Sequence, residues 1–348
     1  MFRRTRNTLV CLFMALVAID FFAALVLAGD NTSSGTAQTY PSCLSVYFLD
    51  VEQGNCVLIV SPSSTAALID AGSWPSGDAP SDDAPVNFIQ GLMDTDVTFN
   101  LQYVIATHYD ADHIGKLDEV LNAGLLAPNG TVFDRGDVSS TKDAYLTYRT
   151  SIGSHRRAAL QPGMEINLGC NAVLTCVAVN GSYLAGGKIV AVQTAGLDEN
   201  GLSAAFILSY GNAKLWFGGD LTGEVESALA PFVPDIDVYA VDHHGSTTSS
   251  SLTLLQHLRP EFAIVQSGQT NTYGHPNKKV IQRILSVTDS QGDAPKVIYQ
   301  NHANPGDSRS DDGLAYAIAD PDGMGPMPGR ISITTDGEGP LIVTIMSG

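Results

Sequence analysis

Basic residues are scarce in this sequence of 348 residues. The chain has 18 Lys and Arg against 36 Asp and Glu, so its formal net charge is -18 and its pI is near 4.6. Because basic side chains neutralise phosphates, this deficit disfavours the binding of an extended nucleic acid. Charged residues make up only 16% of the chain and hydrophobic residues 44%. That balance excludes a wholly disordered chain and supports a large core.

The sequence has only one long apolar run, from Leu9 to Ala28. A single run excludes a multi-span membrane protein, and no other segment is predicted to insert stably into a membrane. Three arginines precede the run and small residues end it, which predicts an export signal over residues 1–28 and a secreted, periplasmic or cell-surface protein. The alternative is an uncleaved N-terminal membrane anchor, although Asp20 interrupts the run.

Cysteines number five, and no CxxC pair occurs, so a cysteine metal site is not expected. One of the five lies within the predicted signal. An exported chain favours disulfides, and the other four allow two of them in three connectivities. Cys170 and Cys176 flank a short loop or hairpin of the kind that a disulfide staples.

The rest of the chain has the pattern of a layered α/β protein. Residues 29–42 are rich in Ser, Thr and Gly and predict a flexible lead-in. Residues 43–348 are expected to form a single domain, with a C-terminal extension from about residue 300 that ends in a closing pair of strands between 330 and 345. Apolar runs predict strands, and helical periodicity predicts helices. The strands are expected at 44–51, 56–60, 66–70, 103–107, 204–210, 214–217, 238–241 and 262–265, and the helices at 114–126, 223–229, 251–258 and 278–287.

Four potential metal ligands fall within six residues directly after the strand that ends at Thr107. They are His108, Asp110, Asp112 and His113. A strand-to-helix junction lets such side chains converge beyond the strand end, and imidazole with carboxylate suits zinc or manganese. Capping of the following helix is the alternative, but a cap accounts for one of the four residues.

Later strand ends supply further candidate ligands. Asp220 follows the strand at 214–217, and the pair His243 and His244 follows the strand at 238–241. Of the pair, His243 is favoured as a ligand because it comes first after the strand end, and the neighbouring histidine is then expected to support the site or contact substrate.

These motifs, taken together in this order, resemble those of the metallo-β-lactamase superfamily. The HYDADH run at 108–113 stands for that family's HxHxDH motif, and Asp70 for its strand-end aspartate. The resemblance is sharpest to the ComEC branch, which takes part in DNA uptake. FLDVEQGN at 48–55, HHGS at 243–246 and NTYGHP at 271–276 look like that branch's motifs, with Glu52 and Asn55 departing from it. The resemblance implies a four-layer αββα sandwich, in which two mixed β-sheets are flanked by helices.

The resemblance also implies one or two divalent metal ions, zinc or manganese. His108 and Asp110 would hold the first ion, Asp112, His113 and His243 the second, and Asp220 would bridge them. The family's usual third histidine of the first site has no counterpart, since the segment before the Asp220 strand reads Glu199-Asn200-Gly201-Leu202-Ser203. The first site is therefore expected to be oxygen-rich and poor in ligands.

The expected function is that of an exported metal-dependent hydrolase that acts on a phosphodiester, as the ComEC-like relatives suggest. A divalent cation makes hydroxide available at neutral pH. Asp112 is expected to orient or deprotonate the attacking water, and His275 to donate a proton or contact substrate. Asp50 and Asp70 are expected to be hydrogen-bonding supports. A hydrolase of a lactam, lactone or thioester is one alternative, and a non-catalytic cell-surface binding module on the same scaffold is another. The charge favours a small substrate over a long polyanion.

Overall fold

The computed structural model describes residues 9–10, 43–72, 84–192, 196–268, 271–300 and 329–347. The predicted signal and lead-in lie outside the described residues except for Leu9 and Val10. The strands are β1 (Leu9–Val10), β2 (Leu44–Phe48), β3 (Val57–Val60), β4 (Thr65–Ile69), β5 (Asn100–Ile105), β6 (Thr131–Asp134), β7 (Arg156–Ala159), β8 (Glu165–Gly169), β9 (Ala172–Val179), β10 (Ser182–Ala185), β11 (Lys188–Ala191), β12 (Ala205–Tyr210), β13 (Ala213–Phe217), β14 (Val238–Ala240), β15 (Phe262–Gln266), β16 (Lys296–Gln300), β17 (Gly329–Thr335) and β18 (Ile342–Ser347).

The helices in the described part of the chain are fewer than the strands. They are α1 (Ala84–Thr95), α2 (Ala111–Ile114), α3 (Leu117–Asn122), α4 (Asp143–Ser151), α5 (Gly223–Leu229), α6 (Leu252–Leu258) and α7 (Lys278–Leu285), with short 3-10 turns at Asn200–Leu202, Ala230–Phe232 and Asp242–Gly245. Within the described ranges, no helix is both long enough and apolar enough to cross a membrane.

Two mixed sheets form the centre of the fold. The first has the order β1-β18-β17-β2-β3-β4-β5-β6-β7, and the second has the order β11-β10-β9-β12-β13-β14-β15-β16, with β8 paired to β9. Pairing is parallel from β4 through β7 and from β13 through β16. Parallel neighbours bring their carboxyl ends to one edge of a sheet, where loops can carry functional groups.

Apolar side chains divide the molecule into four layers. One core, which includes Phe48 and Phe217, contains strand residues from both sheets and lies between them. A second core joins the other face of the first sheet to α1, α2, α3 and α4. A third joins the second sheet to α5, α6 and α7. Burial of these faces stabilises the arrangement, and the predicted αββα sandwich is confirmed.

Two local expectations needed correction. The predicted helix at 114–126 is divided into α2 and α3, because the Lys116 N–H donates to the Ala71 carbonyl at 2.7 Å instead of continuing the helix. The expected disulfides are not formed in this structure between the cysteines at 43, 56, 170 and 176. Cys170 is exposed in the turn before β9, whereas Cys176 is buried between the sheets.

The closing pair of strands is observed. β17 pairs antiparallel with β18 and with β2, so the C-terminal residues complete the first sheet. Residues 301–328 lie outside the described part of the chain. The single-domain boundary at 43 and the extension from about residue 300 therefore stay predictions.

Candidate functional site

Four strand ends meet where the two sheets face each other. Asp70 follows β4, the run from His108 to His113 follows β5, Asp220 follows β13, and the His243–His244 pair follows β14. The parallel strands of each sheet bring these loops to the same edge, so residues distant in sequence become neighbours.

An inner cluster is formed by Asp112, His113, Asp220 and His244. One potential ligand atom from each residue lies within 4.8 Å of the others. His113 Nε2 is 3.0 Å from Asp220 Oδ1, and His244 Nε2 is 3.3 Å from Asp112 Oδ2. Both imidazoles and Asp220 are buried. Buried donors at this spacing are suited to a divalent cation.

An outer group lies on the other side of Asp220 and consists of His108, Asp110 and His243. Asp220 Oδ2 is 3.9 Å from His108 Nε2 and 3.5 Å from His243 Nε2. Asp110 Oδ2 is 3.8 Å from His108 Nε2. Asp220 therefore presents one carboxylate oxygen to each set of residues, which is the arrangement expected of a bridging ligand.

The two neighbouring histidines point to different sets. His244 belongs to the inner cluster and His243 to the outer group, so the sequence-based preference for His243 beside Asp112 and His113 is not what the structure shows. Both residues have left-handed backbone conformations, with φ of 53° in each, and this turn separates their rings. A left-handed conformation is strained for a non-glycine residue and is found mainly at functional sites.

All four imidazoles are held through Nδ1. His113 Nδ1 donates to Asp70 at 2.8 Å, and His244 Nδ1 donates to the Gln266 carbonyl at 2.8 Å. His108 Nδ1 lies 3.1 Å from Thr107 Oγ1, and His243 Nδ1 lies 3.0 Å from Thr248 Oγ1. Each contact leaves Nε2 directed towards the carboxylates, which is how histidine ligands of metals are usually oriented.

Asp70 supports the site from behind and is itself fully buried. Besides His113, it accepts hydrogen bonds from the Thr107 backbone N–H and hydroxyl, both at 2.8 Å. Its expected role as a hydrogen-bonding support is borne out by these contacts.

Several polar atoms of the site have no hydrogen-bond partner among the described residues. They are Nε2 of His108, His113 and His244 and Oδ1 of Asp220. A buried polar atom without a partner costs about 1–3 kcal/mol, so a ligand that contacts these atoms together would stabilise the site. The donor set of nitrogen and carboxylate oxygen fits a divalent cation such as zinc or manganese.

Charge within the inner cluster follows from burial and proximity. Burial alone would lower the pKa of His113, but the carboxylates of Asp220 and Asp70 raise it well above its usual value. Burial would raise the pKa of Asp220, yet His113 and His244 hold it well below its usual value. The pocket thus keeps the Asp220 carboxylate charged and stabilises positive charge beside it, whether a proton or a metal ion.

His275 reaches the rim of the site from the NTYGHP segment. Its ring centroid is 5.5 Å from that of His243 and 6.3 Å from that of His244. Asn271 holds the loop, because its amide accepts from the His275 N–H at 3.0 Å and donates to the His275 carbonyl at 2.8 Å. Burial, followed by the charges of His244 and His243, lowers the pKa of His275 to about 4.

Two contacts at the site were not predicted from the sequence. Lys142 Nζ donates to Asp110 Oδ1 at 2.5 Å, and Asn200 Nδ2 lies 3.3 Å from His243 Nε2. Lys142 directly precedes α4, in a segment that carries no motif, so only the fold could bring it here. Asn200 lies in the segment where the third histidine was missing, and that gap was the available signal.

Known proteins resemble this chain in sequence and in fold. Residues 49–126 match the model of the metallo-β-lactamase superfamily. ComE operon protein 3 of Bacillus subtilis is 27% identical over 257 residues, which cover 70% of this chain and 31% of that protein. Recombination protein 2 of Haemophilus influenzae is 29% identical over 237 residues, which cover 68% of this chain and 26% of that protein. The chain therefore spans about a third or less of the length of these curated relatives.

Among solved structures, the metallo-β-lactamase fold protein YhfI from Bacillus subtilis is 12% identical, with a TM-score of 0.45, and the match covers 74% of this chain and 96% of that protein. A third curated relative, competence protein ComA of Neisseria gonorrhoeae, is 37% identical over 91 residues, which cover 25% of this chain and 13% of that protein. These matches agree with the motifs described above: residues 49–126 are similar to the metallo-β-lactamase superfamily, and about two thirds of the chain is similar in sequence to ComE operon protein 3 and Recombination protein 2.

Proposed function

We propose that this protein is an exported, metal-dependent hydrolase that cleaves a phosphodiester. The observation that carries the proposal is the arrangement of four histidines whose Nδ1 atoms are held and whose Nε2 atoms face the buried carboxylate of Asp220. Without a cation, the buried nitrogen and oxygen atoms of this arrangement lower the stability of the protein. A divalent cation would bind to them and remove that loss.

The inner cluster would hold one cation, and the outer group with Asp220 a second. A bound cation supplies a Lewis acid that lowers the pKa of water and stabilises charge on oxygen. Zinc suits the imidazoles, and manganese suits the carboxylates.

The residues around the cations have separate tasks. Asp112 is the most exposed member of the inner cluster, at 13%, and contact with His244 keeps its pKa below the usual value although burial opposes this. It is therefore ionised at neutral pH and placed to accept a proton from a water molecule at the open side of the cluster. His275, with its lowered pKa, is neutral at pH 7. This favours His275 as a hydrogen-bonding group towards substrate over the proton donor suggested by the sequence.

Substrate class follows from charge and donor type. A site with three carboxylates favours hard cations and hence phosphoryl oxygen as the group to be bound. The net charge of -18 opposes a long polyanion held by electrostatics, so a small phosphodiester or a short strand held by metal is the better substrate.

Hydrolysis of bis(p-nitrophenyl) phosphate by the purified full chain tests the proposal. We expect hydrolysis with Mn²⁺ or Zn²⁺, its loss with a chelator, and its return when metal is added back. Asp112→Ala should reduce kcat by about 10²-fold or more, whereas Asp94→Asn, which alters an exposed carboxylate on α1, should leave kcat unchanged.

Two other results of these experiments would favour the alternative functions. A metal-loaded protein that hydrolyses a lactam, lactone or thioester but not the diester contradicts the proposed substrate class. A folded protein that binds neither metal contradicts the proposal altogether and favours a binding module.

A further inference from the structure

The outer group lacks a ligand when compared with the inner cluster. His108 and His243 supply nitrogen, and Asp220 supplies Oδ2. Asp110 is the remaining carboxylate, but it is paired with Lys142. A cation at this position therefore needs a further donor from another element.

Asn200 lies beside this group and carries an oxygen atom that could act as a ligand. Its Nδ2 is 3.3 Å from His243 Nε2, and its Oδ1 is buried with no hydrogen-bond partner. A buried amide oxygen without a partner costs about 1–3 kcal/mol. The structure places the nitrogen end of this amide next to His243, a histidine that is directed towards Asp220.

Hydrogen bonds of the neighbouring residue fix the position of Asn200. The preceding residue, Glu199, accepts from Arg135 Nε at 2.8 Å and Nη2 at 2.6 Å and from the Tyr109 N–H at 2.9 Å. Tyr109 directly follows the ligand candidate His108. The Tyr109 N–H thus ties the segment that carries Asn200 to the loop that carries the outer group. The bidentate pair with Arg135, whose side chain is 6% exposed, holds Glu199 in this position.

His243 is directed inward by its own neighbours. Thr248 lies 3.0 Å from His243 Nδ1, and Ser249 lies 3.4 Å from the same atom. With Nδ1 held there, Nε2 presents its lone pair between Asp220 and Asn200. The left-handed turn at 243–244 is what brings this nitrogen to the outer side.

We infer that Asn200 Oδ1 and His243 Nε2 are donors to a second divalent cation, which shares Asp220 with the first and also contacts His108. Asn200 replaces the missing third histidine. The amide is nearly symmetric in shape, so a half turn places Oδ1 where Nδ2 now lies. The separation of 3.3 Å from His243 Nε2 then matches that of two ligands on one cation, roughly 3–3.5 Å apart for bonds of about 2.1 Å. This inference rests on the proposed function only in requiring a cation in the inner cluster.

Titration of the full chain with Mn²⁺, followed by the electron paramagnetic resonance signal of the free ion, tests the inference without measuring activity. The wild-type chain should bind two Mn²⁺ ions. Asn200→Ala should weaken the second by about 10-fold to 100-fold and leave the first within about twofold. Asn200→Asp, which restores an oxygen donor, should again bind two ions, so a loss through misfolding is distinguished. The matched control is Asn212→Ala, in an exposed turn between β12 and β13.

The possible results separate this inference from the proposed function. Two ions bound by Asn200→Ala with wild-type affinities would overturn the assignment of Asn200. One ion bound by the wild-type chain, with diester hydrolysis intact, would overturn the second cation position and leave the proposed function standing. No Mn²⁺ or Zn²⁺ bound by the wild-type chain would overturn both.

Discussion

Side chains behind the site decide how its ligands are presented. Asp70 contacts no solvent, yet it sets the orientation of His113 and ties it to the backbone at Thr107. The Gln266 carbonyl does the same for His244. Such partners fix which nitrogen of the imidazole carries the proton, and their loss typically lowers metal affinity.

At the residue scale, the lowered pKa of His275 predicts how the free energy of unfolding depends on pH. Its pKa of about 4 in the folded chain lies below its ordinary value of 6.5. Above pH 6.5 the residue is neutral in both the folded and unfolded states and has no effect on the free energy of unfolding. As pH falls from 6.5 towards 4, the unfolded chain takes up a proton that the folded chain refuses, so stability is lost.

We therefore expect His275→Gln to lose less stability than the wild-type chain between pH 6.5 and 4. Because the ring is partly screened by solvent, the difference should be on the order of 1–2 kcal/mol. Urea unfolding of chelator-treated protein across this range measures it. His257→Gln, at an exposed position on α6, is the control and should follow the wild-type slope. Parallel slopes for all three proteins would contradict the burial argument.

At the element scale, the loops that contain Asn55, Gly72 and Asp112 meet through their backbones. The Asn55 N–H donates to the Asp112 carbonyl at 3.0 Å, and the Gly72 N–H donates to the Asn55 carbonyl at 3.0 Å. Gly54 and Gly72 allow this approach, since a Cβ on either would lie within 2.5 Å of the Asp112 carbonyl oxygen. The FLDVEQGN motif thus acts as a support beneath the loop that carries Asp112 and His113.

A pair of glycine substitutions tests this support. A Cβ at Gly72 would lie 1.6 Å from the Asp112 carbonyl oxygen, whereas a Cβ at Gly91 meets nothing within 4 Å. We expect Gly72→Ala to lower the free energy of unfolding by about 1–3 kcal/mol and to weaken binding of the first Mn²⁺ ion.

Gly91→Ala, within α1, is the matched control. It should raise the free energy of unfolding by up to about 1 kcal/mol because alanine favours the helix. Urea unfolding and the Mn²⁺ titration measure both variants. Unchanged stability and metal affinity in Gly72→Ala would contradict the proposed contact.

At the scale of the whole molecule, the excess of acidic residues acts on any charged substrate. Only part of the charge of -18 belongs to the site, and the remainder is a negative field around the molecule. Screening by salt weakens repulsion between like charges over distances beyond about 10 Å at 0.1 M. A long single-stranded oligonucleotide should therefore bind better, not worse, as salt is raised.

Salt dependence of KM distinguishes this behaviour from that of a nuclease with a basic groove. Between about 20 mM and about 200 mM salt, we expect the KM for an oligonucleotide to fall, whereas binding to a basic groove weakens steeply over the same range. The monoanionic bis(p-nitrophenyl) phosphate is the control and should change by less than about twofold. A KM for the oligonucleotide that rises about 10-fold would show instead that the protein binds it along a basic track.

Much of the fold was predictable because it depends on local patterns. Apolar runs correctly predicted β2, β5, β13, β14 and β15, and helical periodicity predicted α5, α6 and α7 within two residues at each end. The strands β7 to β11 were not predicted. None of β7, β10 and β11 has a fully buried residue, so their periodicity carries no burial signal. In β8 and at the start of β9, buried residues do alternate with more exposed ones, so those two strands were legible from the sequence.

The sequence by itself determined the candidate ligands, since clustered His and Asp after strands have few other uses and the order of the motifs is legible without a structure. Only the tertiary structure decided how those ligands divide around Asp220. The left-handed turn sends His244 to the inner cluster and His243 to the outer group, and the Arg135–Glu199 clamp brings Asn200 beside it. Both effects depend on contacts between residues far apart in the chain, which no local pattern encodes.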